Sequence, residues 1–395
     1  MPQAILVMCV ALCGCVGSRR ANRAEPPPVP KPVPPPSEEA LNAALQRGVA
    51  FLLQRQNRDG SWGSARNTKD LNIYAPVPGA HLGFRAAVTS LCVSALIEVG
   101  DAGNDHEAVQ KALERGEAWL IVNLPKVRRA TPDAIYNVWS HAYGIQALVR
   151  MLRRHEGDAV RCQQIKALIR EQMGFLERYE SVDGGWSYYD FDAHTQKPNS
   201  SSTSFVSATV LVAFYEAKQV GVEPPERIVQ RAVASIKRQQ KPDFTYLYAA
   251  PWWWRPVYPI NRPGGSLGRS QACNLALRLW GDERITDDVL KTWLNRLAAR
   301  NLWLDIGRKR PVPHESWFQV AGYFFYYGHY YAALCIEQLK AEERAPFQAH
   351  LAYILLRLQE KDGSWWDYPL YDYHQQYGTA LALMSLKRCQ ATSLR

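Results

Sequence analysis

One short pattern occurs three times in full along the chain and three more times in degenerate form, and it constrains the fold more than any other feature. Each full copy has an apolar pair, a Gln or Glu four residues later, and Gly-x-Trp after four more, as in Phe51-Leu52 to Trp62. One register residue per copy recurs at intervals of 56 to 68 residues. These residues are Phe51, Trp119, Phe175, Ser235, Trp293 and Ile354. Such a period, with apolar anchors, indicates one structural unit used six times.

Each unit predicts two helices. The first carries the register residue and is apolar on one side, as in residues 41–56. The second is apolar on every side and rich in small residues, as in residues 86–96, 204–217 and 379–386. A helix that is apolar all round is surrounded by protein. We therefore expect the second helices to form an inner ring and the first helices an outer ring, and six such pairs can close without end repeats that need capping.

The Gly-x-Trp segment predicts a specific turn at the end of the first helix. Gly takes the left-handed conformation that a helix C-cap requires. The Trp can fold back over the helix ends with its indole N–H free to donate, and the Gln or Glu can bond to neighbouring backbone. The predicted structural residues are Gln56, Gly60 and Trp62 in the first copy, Glu180, Gly184 and Trp186 in the second, and Gln359, Gly363 and Trp365 in the third.

The pattern resembles the QW repeat of the terpenoid cyclases, [Lys/Arg]-[Gly/Ala]-x-x-[aromatic]-[aliphatic]-x-x-x-Gln-x-x-x-Gly-x-Trp, which residues 47–62 match at every position. Protein prenyltransferase β subunits share this architecture, and the superfamily includes the prenyltransferase and squalene oxidase repeats. The resemblance implies an all-α fold, an (α/α)6 toroid of six helical hairpins, over residues 37–395. It is specific for the fold and much less so for an activity.

Two short segments precede the expected toroid. Residues 1–14 read as a lipoprotein signal peptide, because Leu12-Cys13-Gly14-Cys15 resembles a lipobox, in which a signal peptidase cuts before Cys15 and the cysteine is acylated. An ordinary secretory signal is the alternative. Residues 15–36 read as a Pro-rich linker whose last eleven residues, in extended polyproline conformation, would span roughly 34 Å. We expect a lipoprotein of the cell envelope, anchored in a bilayer and facing the periplasm or the exterior.

The charge and the cysteine content further limit what kind of protein this is. The formal net charge is +10, but Lys and Arg are scattered over the first helices, so a solvated outer ring explains them better than nucleic-acid binding. Five of the eight cysteines follow the linker, an odd number without a CxxC pair. Three of them, Cys92, Cys273 and Cys335, lie in predicted inner helices, which predicts buried thiols rather than a disulfide framework.

Histidines concentrate where the inner helices begin. Parallel inner helices bring their N-termini to one mouth of the barrel, and His81, His141, His194, His314 and His374 lie at or just before such starts. Histidine beside carboxylates can bind zinc or act as a general acid or base. The alternative is that these polar side chains have no such function and only line a solvated entrance. The catalytic candidates are His141, Asp190, Asp192, His194, His314, Glu315 and His374.

The resemblance implies two known chemistries, and neither residue set is complete. In protein prenyltransferases a His that opens an inner helix joins an Asp-x-Cys pair on zinc. His374, with Tyr377 three residues later, looks like that His, but the pair falls at Glu315 and Trp317, where the required thiolate is missing. We therefore assign no zinc site, and the cofactor stays unknown.

Squalene–hopene cyclases protonate an alkene with an Asp-x-Asp-Asp motif. The nearest match here begins at Asp190 and Asp192 but has Ala193 in the last position. A strong carboxylic acid is needed to protonate an alkene, and the hydroxyl residues 200–203 that occupy the expected place cannot supply it. We therefore do not expect cyclisation by this mechanism.

Aromatic residues are abundant, with 13 Trp and 20 Tyr. Tyrosines and phenylalanines cover most of the circumference of the inner helix predicted around residues 323–331, so several rings should face a central cavity. The predicted cavity residues are Tyr323, Tyr326, Tyr327, Tyr330 and Trp254, the last in a loop that reads as a lid over one mouth. Aromatic faces can line an isoprenoid or lipid tail, or stack on sugar rings.

The leading hypothesis is a cell-envelope lipoprotein whose aromatic cavity binds a hydrophobic, isoprenoid- or lipid-like, or extended ligand, without known cyclase or prenyltransferase chemistry. One alternative is a divergent transferase or lyase with a His and acid site at the mouth, with or without a metal. Another is polysaccharide processing, since unrelated (α/α)6 barrels cut polysaccharides with paired carboxylates, here Asp192 and Glu315. The last alternative is a scaffold role in an assembly of the cell envelope.

Overall fold

The computed structural model describes residues 28–68, 78–190, 200–252, 254–314 and 319–390. The predicted signal peptide, the lipidation site Cys15 and the first part of the linker lie outside the described residues. Residues 28–37 have no regular secondary structure and lead directly into the first helix.

The helices alternate between an outer ring and an inner ring, one pair per sequence repeat. In chain order the pairs are α1 (Glu38–Gln54) with α2 (His81–Val99), α3 (His106–Asn123) with α4 (Asn137–Arg154), α5 (Ala159–Arg178) with α6 (Ser204–Lys218), α7 (Glu226–Gln239) with α8 (Leu267–Leu279), α9 (Asp287–Ala299), followed by the short α10 (Asn301–Asp305), with α11 (Phe324–Glu337), and α12 (Ala345–Leu356) with α13 (His374–Lys387).

The inner ring is closed. Each inner helix packs against the next one along the chain, and α13 packs against α2 as well as α11. The outer helices lie behind the inner ones, and α1 also contacts α12, so the first and last repeats meet. The predicted all-α toroid of six helical hairpins is confirmed.

Burial follows the predicted difference between the two rings. Every residue from Ala86 to Leu96 in α2 is buried, whereas α7 buries only one stripe, which includes Ile228, Ala232 and Ile236. By length and composition α2 is apolar enough to cross a membrane, but most of it is covered by the rest of the protein, as for any core helix. The inner-helix thiols Cys92, Cys273 and Cys335 are buried and free, as predicted.

The Gly-x-Trp turns have the predicted backbone conformation. Gly60, Gly184 and Gly363 have φ values of +93°, +86° and +87°. A Cβ on Gly60 would overlap the backbone carbonyl of Arg115 in the next outer helix, so both the conformation and the close approach require glycine. Each Trp then returns its indole N–H to a carbonyl of the helix just ended. The bonds are Trp62 Nε1 to Leu52 O at 2.7 Å, Trp186 Nε1 to Leu176 O at 2.7 Å, and Trp365 Nε1 to Leu355 O at 2.8 Å.

The Gln or Glu of each turn ties its repeat to the next one. Gln56 Nε2 donates to Ala112 O in α3 at 2.8 Å, and Gln359 Nε2 donates to Ala44 O in α1 at 2.9 Å. In the middle copy, Glu180 forms an ion pair with the guanidinium of Arg231 in α7. The turns are therefore joints between neighbouring repeats, and the third joint connects the last repeat to the first.

Candidate ligand-binding site at one end of the toroid

Aromatic side chains form a nearly continuous ring where the inner helices begin. We call this ring the aromatic mouth. In order around the barrel it consists of Tyr373, Phe84, Tyr136, Tyr188, Phe205, Tyr248, Phe324, Tyr323 and Tyr368, and neighbouring ring centroids lie 4.7 to 6.3 Å apart. Offset and edge-to-face pairs at these separations are favourable beyond their buried area, so the rings support one another.

Four members of the aromatic mouth are partly exposed. These are Phe84, Tyr136, Tyr188 and Tyr323. Below them Trp139, also partly exposed, stacks on the buried ring of Tyr143 with centroids 5.7 Å apart. An accessible aromatic surface with a packed aromatic floor is the kind of lining that small-molecule sites use.

Three phenol groups and one imidazole form a hydrogen-bonded cluster on one side of the aromatic mouth. Tyr188 Oη lies 2.5 Å from Tyr248 Oη, which lies 3.1 Å from Tyr323 Oη, which in turn lies 3.0 Å from His314 Nε2. We call these four residues the phenol cluster. Burial raises the pKa of each of the three phenols well above its usual range, so all three stay protonated near neutral pH.

His314 is held in a strained conformation. Its φ of +62° lies in the left-handed region, which is costly for a residue with a side chain. Its Nδ1 lies 2.6 Å from the carbonyl oxygen of Gln319, which fixes the ring toward Tyr323. Burial lowers the pKa of His314 to about 4, against an opposing contribution from that carbonyl, so the ring is neutral at pH 7.

The sequence carried a signal for the aromatic mouth that the repeat pattern alone did not reveal. Phe84, Tyr136 and Phe205 lie within four residues of the start of an inner helix, and Tyr323 and Tyr373 immediately precede one. Because those starts converge, aromatic residues at equivalent positions in different repeats become neighbours. Sequence reasoning had singled out Tyr323 only.

The structure places His141 away from the aromatic mouth. It lies in the second turn of α4, fully buried, with Nδ1 2.7 Å from Gln172 Oε1 of α5 and its ring stacked on Phe175 at 4.8 Å. Burial lowers its pKa to about 4. A neutral imidazole that joins an inner helix to an outer one serves packing rather than ligand contact.

Of the remaining catalytic candidates, the structure describes Asp190 and His374. Asp190 is buried, with Oδ2 3.7 Å from Arg129 Nη2 and Oδ1 accepting from the backbone N–H of Ser200 at 3.3 Å. His374 opens α13 as predicted, with Nδ1 bonded to Tyr371 O and its ring against Trp366 at 5.1 Å. The other three candidates, Asp192, His194 and Glu315, lie outside the described residues.

Within the described ranges, no three His, Cys, Asp or Glu side chains come close enough together to hold a metal ion. One unpredicted carboxyl does have a perturbed pKa. Burial raises the pKa of Asp367 to about 7, although its Oδ2 accepts a bond from the backbone N–H of Tyr326 at 3.0 Å. It lies next to Tyr368, at the edge of the aromatic mouth.

Of the predicted cavity residues, Tyr323 belongs to the aromatic mouth and the others lie elsewhere. Tyr326, Tyr327 and Tyr330 are at most 2% exposed and belong to the packed interior, where Tyr327 Oη donates to Phe205 O at 2.9 Å. Trp254 is 58% exposed on the loop before α8, with the guanidinium of Arg255 4.1 Å from its ring. The accessible rings are therefore those at the helix starts.

The opposite end of the barrel, where the inner helices finish, holds a charged network. Arg150 Nε lies 2.5 Å from Glu98 Oε1, and Arg150 Nη1 lies 2.7 Å from Glu216 Oε2. Arg388 pairs with both Glu98 and Glu337. Burial alone would raise the pKa of Glu98, but the two arginines lower it to about 2. The network lines a cavity of about 810 Å³ that opens at this end.

No protein-family model matches the chain. Among solved structures, the cellobiose 2-epimerase of Bacillus thermoamylovorans aligns with a TM-score of 0.56 and 10% identity, over 89% of this chain and all of that one. The α-1,6-mannanase GH76A of Salegentibacter aligns with a TM-score of 0.55 and 9% identity, over 88% of this chain and 98% of that one.

The type II terpene cyclase MstE of Scytonema is also similar, with a TM-score of 0.50 and 16% identity, over 89% of this chain and 98% of that one. Proteins with very different activities thus share the architecture of this chain. At these identities the similarity establishes the α/α-toroid fold, and the function has to be argued from the site.

Proposed function

We propose that this protein is a cell-envelope lipoprotein whose aromatic mouth binds a hydrophobic ligand, an isoprenoid- or lipid-like chain, without the chemistry of the known cyclases and protein prenyltransferases. The observation that carries the proposal is the nearly continuous ring of aromatic side chains with four partly exposed members. Burying those rings against an apolar chain gains free energy in proportion to the area removed from water.

The sequence lacks the complete set of catalytic residues for either of those two mechanisms, which supports ligand binding rather than catalysis by them. The position that would supply the zinc thiolate is occupied by Trp317, and the position of the last motif aspartate by Ala193. The toroid joints, by contrast, are complete in three copies. An intact scaffold with an aromatic entrance fits a protein that holds or presents an apolar molecule.

Farnesol is a suitable probe of the proposed binding. We expect titration calorimetry to detect its binding to the purified protein, and we expect Phe84→Ala to weaken that binding about ten-fold. Loss of a phenyl contact removes burial of about 1.5 kcal/mol or more, and 1.4 kcal/mol corresponds to a factor of ten. Phe84 is already partly exposed, so its removal should disturb the fold less than removal of a core ring.

Tyr353→Ala is the matched control, because Tyr353 is an aromatic residue on the outer helix α12 that is 41% exposed. Its removal should leave the affinity for farnesol unchanged. The proposal fails if farnesol does not bind and organic extraction of the purified protein yields no lipid, or if the two variants weaken binding equally.

The anchor is proposed from the lipobox-like sequence at Cys15 and the Pro-rich linker. The linker enters α1 at the end of the barrel where the inner helices finish, since Asn42 Oδ1 of α1 accepts a bond from Gln390 Nε2 just beyond α13, at 2.8 Å. An anchor attached there would leave the aromatic mouth facing away from the anchored end.

Cys15→Ser tests the anchor. We expect the variant to lose incorporation of an alkyne-labelled fatty acid and to move from the membrane fraction to the soluble fraction, because its side chain cannot form the thioether that holds the lipid. Cys13→Ser, two residues earlier in the same segment, should keep both properties. Unchanged labelling and fractionation of Cys15→Ser would refute lipidation at this residue.

A further inference from the structure

The cavity where the inner helices finish has the size and position of a second binding site. We call it the charged-end cavity. Its volume of about 810 Å³ lies in the range of roughly 300–1,000 Å³ that small-molecule sites occupy. All six inner helices contribute to its lining from their C-terminal parts, so the cavity lies on the axis of the barrel, at the opposite end from the aromatic mouth.

Apolar side chains from four inner helices line the charged-end cavity. They are Leu96 of α2, Val212 of α6, Leu275 and Leu279 of α8, and Leu334 of α11. Leu279 is only partly buried, so the apolar part of the lining is accessible. A hydrocarbon chain placed against it would remove apolar surface from water, which is favourable in proportion to the area covered.

The charged residues of the lining carry an excess of positive charge. Six of them are Lys or Arg and three are Glu. Arg150 pairs with Glu98 and Glu216. Arg388 pairs with Glu98 and Glu337. All three glutamates are therefore engaged by two arginines, and four further cations remain in the lining.

Two of the four further cations have no partner. Arg154 pairs with Glu117, which is not part of the lining, at 2.8 Å. Arg344 donates to two backbone carbonyls near the end of α11, at 2.9 and 2.8 Å. Arg153 and Lys387 are exposed in the last turns of α4 and α13, and neither forms a hydrogen bond or an ion pair with a residue that the structure describes. A molecule that enters the cavity meets these two charges first.

One nitrogen of Arg388 is also available inside the cavity. Carbonyl groups at the ends of the inner helices carry negative partial charge, and Arg388 Nη1 donates to one of them, Met384 O, at 2.8 Å. The same Nη1 bonds to Glu98, and Nε bonds to Glu337. Nη2 forms no hydrogen bond within the described ranges, and the side chain is 15% exposed. Its two N–H groups can therefore donate to a ligand.

The arginines of the cavity keep even a buried carboxylate ionised. Burial alone would raise the pKa of Glu98, yet Arg150 and Arg388 lower it to about 2. A carboxylate or phosphate beside Arg388 Nη2 would gain a charge-assisted hydrogen bond from the same guanidinium. Glu216 and Glu337 would attract a cation instead, but each of them is already paired with an arginine. The charges that remain therefore favour an anion.

We infer that the charged-end cavity is a second binding site, which takes an anionic amphiphile, a molecule with an apolar chain and one carboxylate or phosphate group. The chain lies against the leucine and valine side chains, and the anionic group accepts from Arg388. Arg153 and Lys387 attract the anion at the entrance. This site is separate from the aromatic mouth and does not depend on the function proposed for it.

Dodecyl phosphate is the probe, because dodecanol and dodecyltrimethylammonium carry the same chain with no charge and with a positive charge. We expect titration calorimetry of the purified protein to show that dodecyl phosphate binds about ten-fold more tightly than either, because hydrogen bonds to charged groups are roughly twice as strong as neutral ones. Inorganic phosphate, which has no chain to bury, should bind at least about ten-fold more weakly than dodecyl phosphate.

A double charge reversal, Arg153→Glu with Lys387→Glu, locates the binding in the cavity. It should weaken the binding of dodecyl phosphate about ten-fold, because two attractive charges become repulsive. The binding of farnesol should not change, since both residues lie at the opposite end from the aromatic mouth. Arg170→Glu with Lys361→Glu is the matched control. It reverses two exposed cations outside the lining, changes the net charge equally and should leave both affinities unchanged.

Equal weakening of dodecyl phosphate binding in the two double variants would overturn the inference, because the affinity would then follow net charge and not the cavity. Unchanged binding in the cavity variant would also overturn it, as would tighter binding of dodecyltrimethylammonium, or inorganic phosphate that binds as tightly as dodecyl phosphate. None of these results bears on the proposed function. Failure of farnesol to bind, in turn, would leave the charged-end cavity as a site for anionic amphiphiles.

Discussion

Trp365→Ala should lower the free energy of unfolding by about 3–5 kcal/mol, the usual cost of removing a large buried aromatic side chain. Trp365 is fully buried, its indole N–H donates to Leu355 O, and its backbone N–H donates to the hydroxyl oxygen of Thr379 at 3.0 Å. The ring also contacts α1, where a Cβ on Gly48 would lie 2.9 Å from it. The substitution therefore leaves a cavity at the junction of the last and first repeats. Urea unfolding measures the loss.

Two further variants make this result a test of ring closure. Trp62→Ala opens the equivalent junction inside the chain, where the Trp62 ring meets Gly116 of α3 in the same way, and should cost a similar amount. Trp254→Ala removes an exposed ring and should cost less than about 0.5 kcal/mol. If the ring were open, Trp365 would lie at a free end, and its loss would resemble that of Trp254 instead of that of Trp62.

Arg150→Met is expected to cost about 3–5 kcal/mol at pH 7, because it leaves two carboxylates without their shared partner. The side chains of Arg150, Glu98 and Glu216 are 8%, 15% and 18% exposed, so solvent screens the pairs only in part. Met keeps most of the volume of the arginine stem, which separates the loss of charge from the loss of packing. Unfolding by urea at fixed pH gives the difference.

The cost of Arg150→Met should shrink in acid. The pKa of Glu98 in the folded protein is about 2, below its ordinary value of 4.5. Its pairing therefore contributes stability above about pH 4.5, and this contribution is lost as the pH falls toward 2. The stabilities of the two proteins should converge over that interval.

A double-variant cycle is the control for this prediction. Glu98→Gln combined with Arg150→Met should cost less than the sum of the two single substitutions, since residues in direct contact are not additive. Additive costs, or a pH-independent difference between Arg150→Met and the unmodified protein, would show that the ion pairs do not stabilise the fold.

The fold was predictable because its signal is periodic. The second helix of the third repeat was expected over residues 204–217 and extends over Ser204–Lys218. All-round apolarity identified the inner ring, because only a helix enclosed by protein can bury every side. The glycine of each turn was also predictable, because the left-handed backbone conformation that it adopts is a local property of the chain.

The site was predictable only in outline. The expectation that the inner-helix starts form a mouth led to Tyr323 and His314, which do meet there. The sequence analysis placed His141 at the mouth, whereas its side chain contacts the outer helix α5. A helix that is apolar on every side has no polar stripe, so its sequence does not show which way one side chain points. Tyr188 and Tyr248 reach the phenol cluster from separate loops, and sequence spacing does not determine the course of a loop.

The joint between Gln359 and Ala44 joins residues 315 positions apart. A nascent chain cannot make this bond until nearly all of it has left the ribosome. Until then the side of α2 that α13 covers remains in contact with water, and such surfaces promote aggregation. Closure between the two ends is also slow, because the most distant contacts form last. We therefore expect chains that terminate before Trp365 to accumulate as insoluble material, however well their earlier repeats fold.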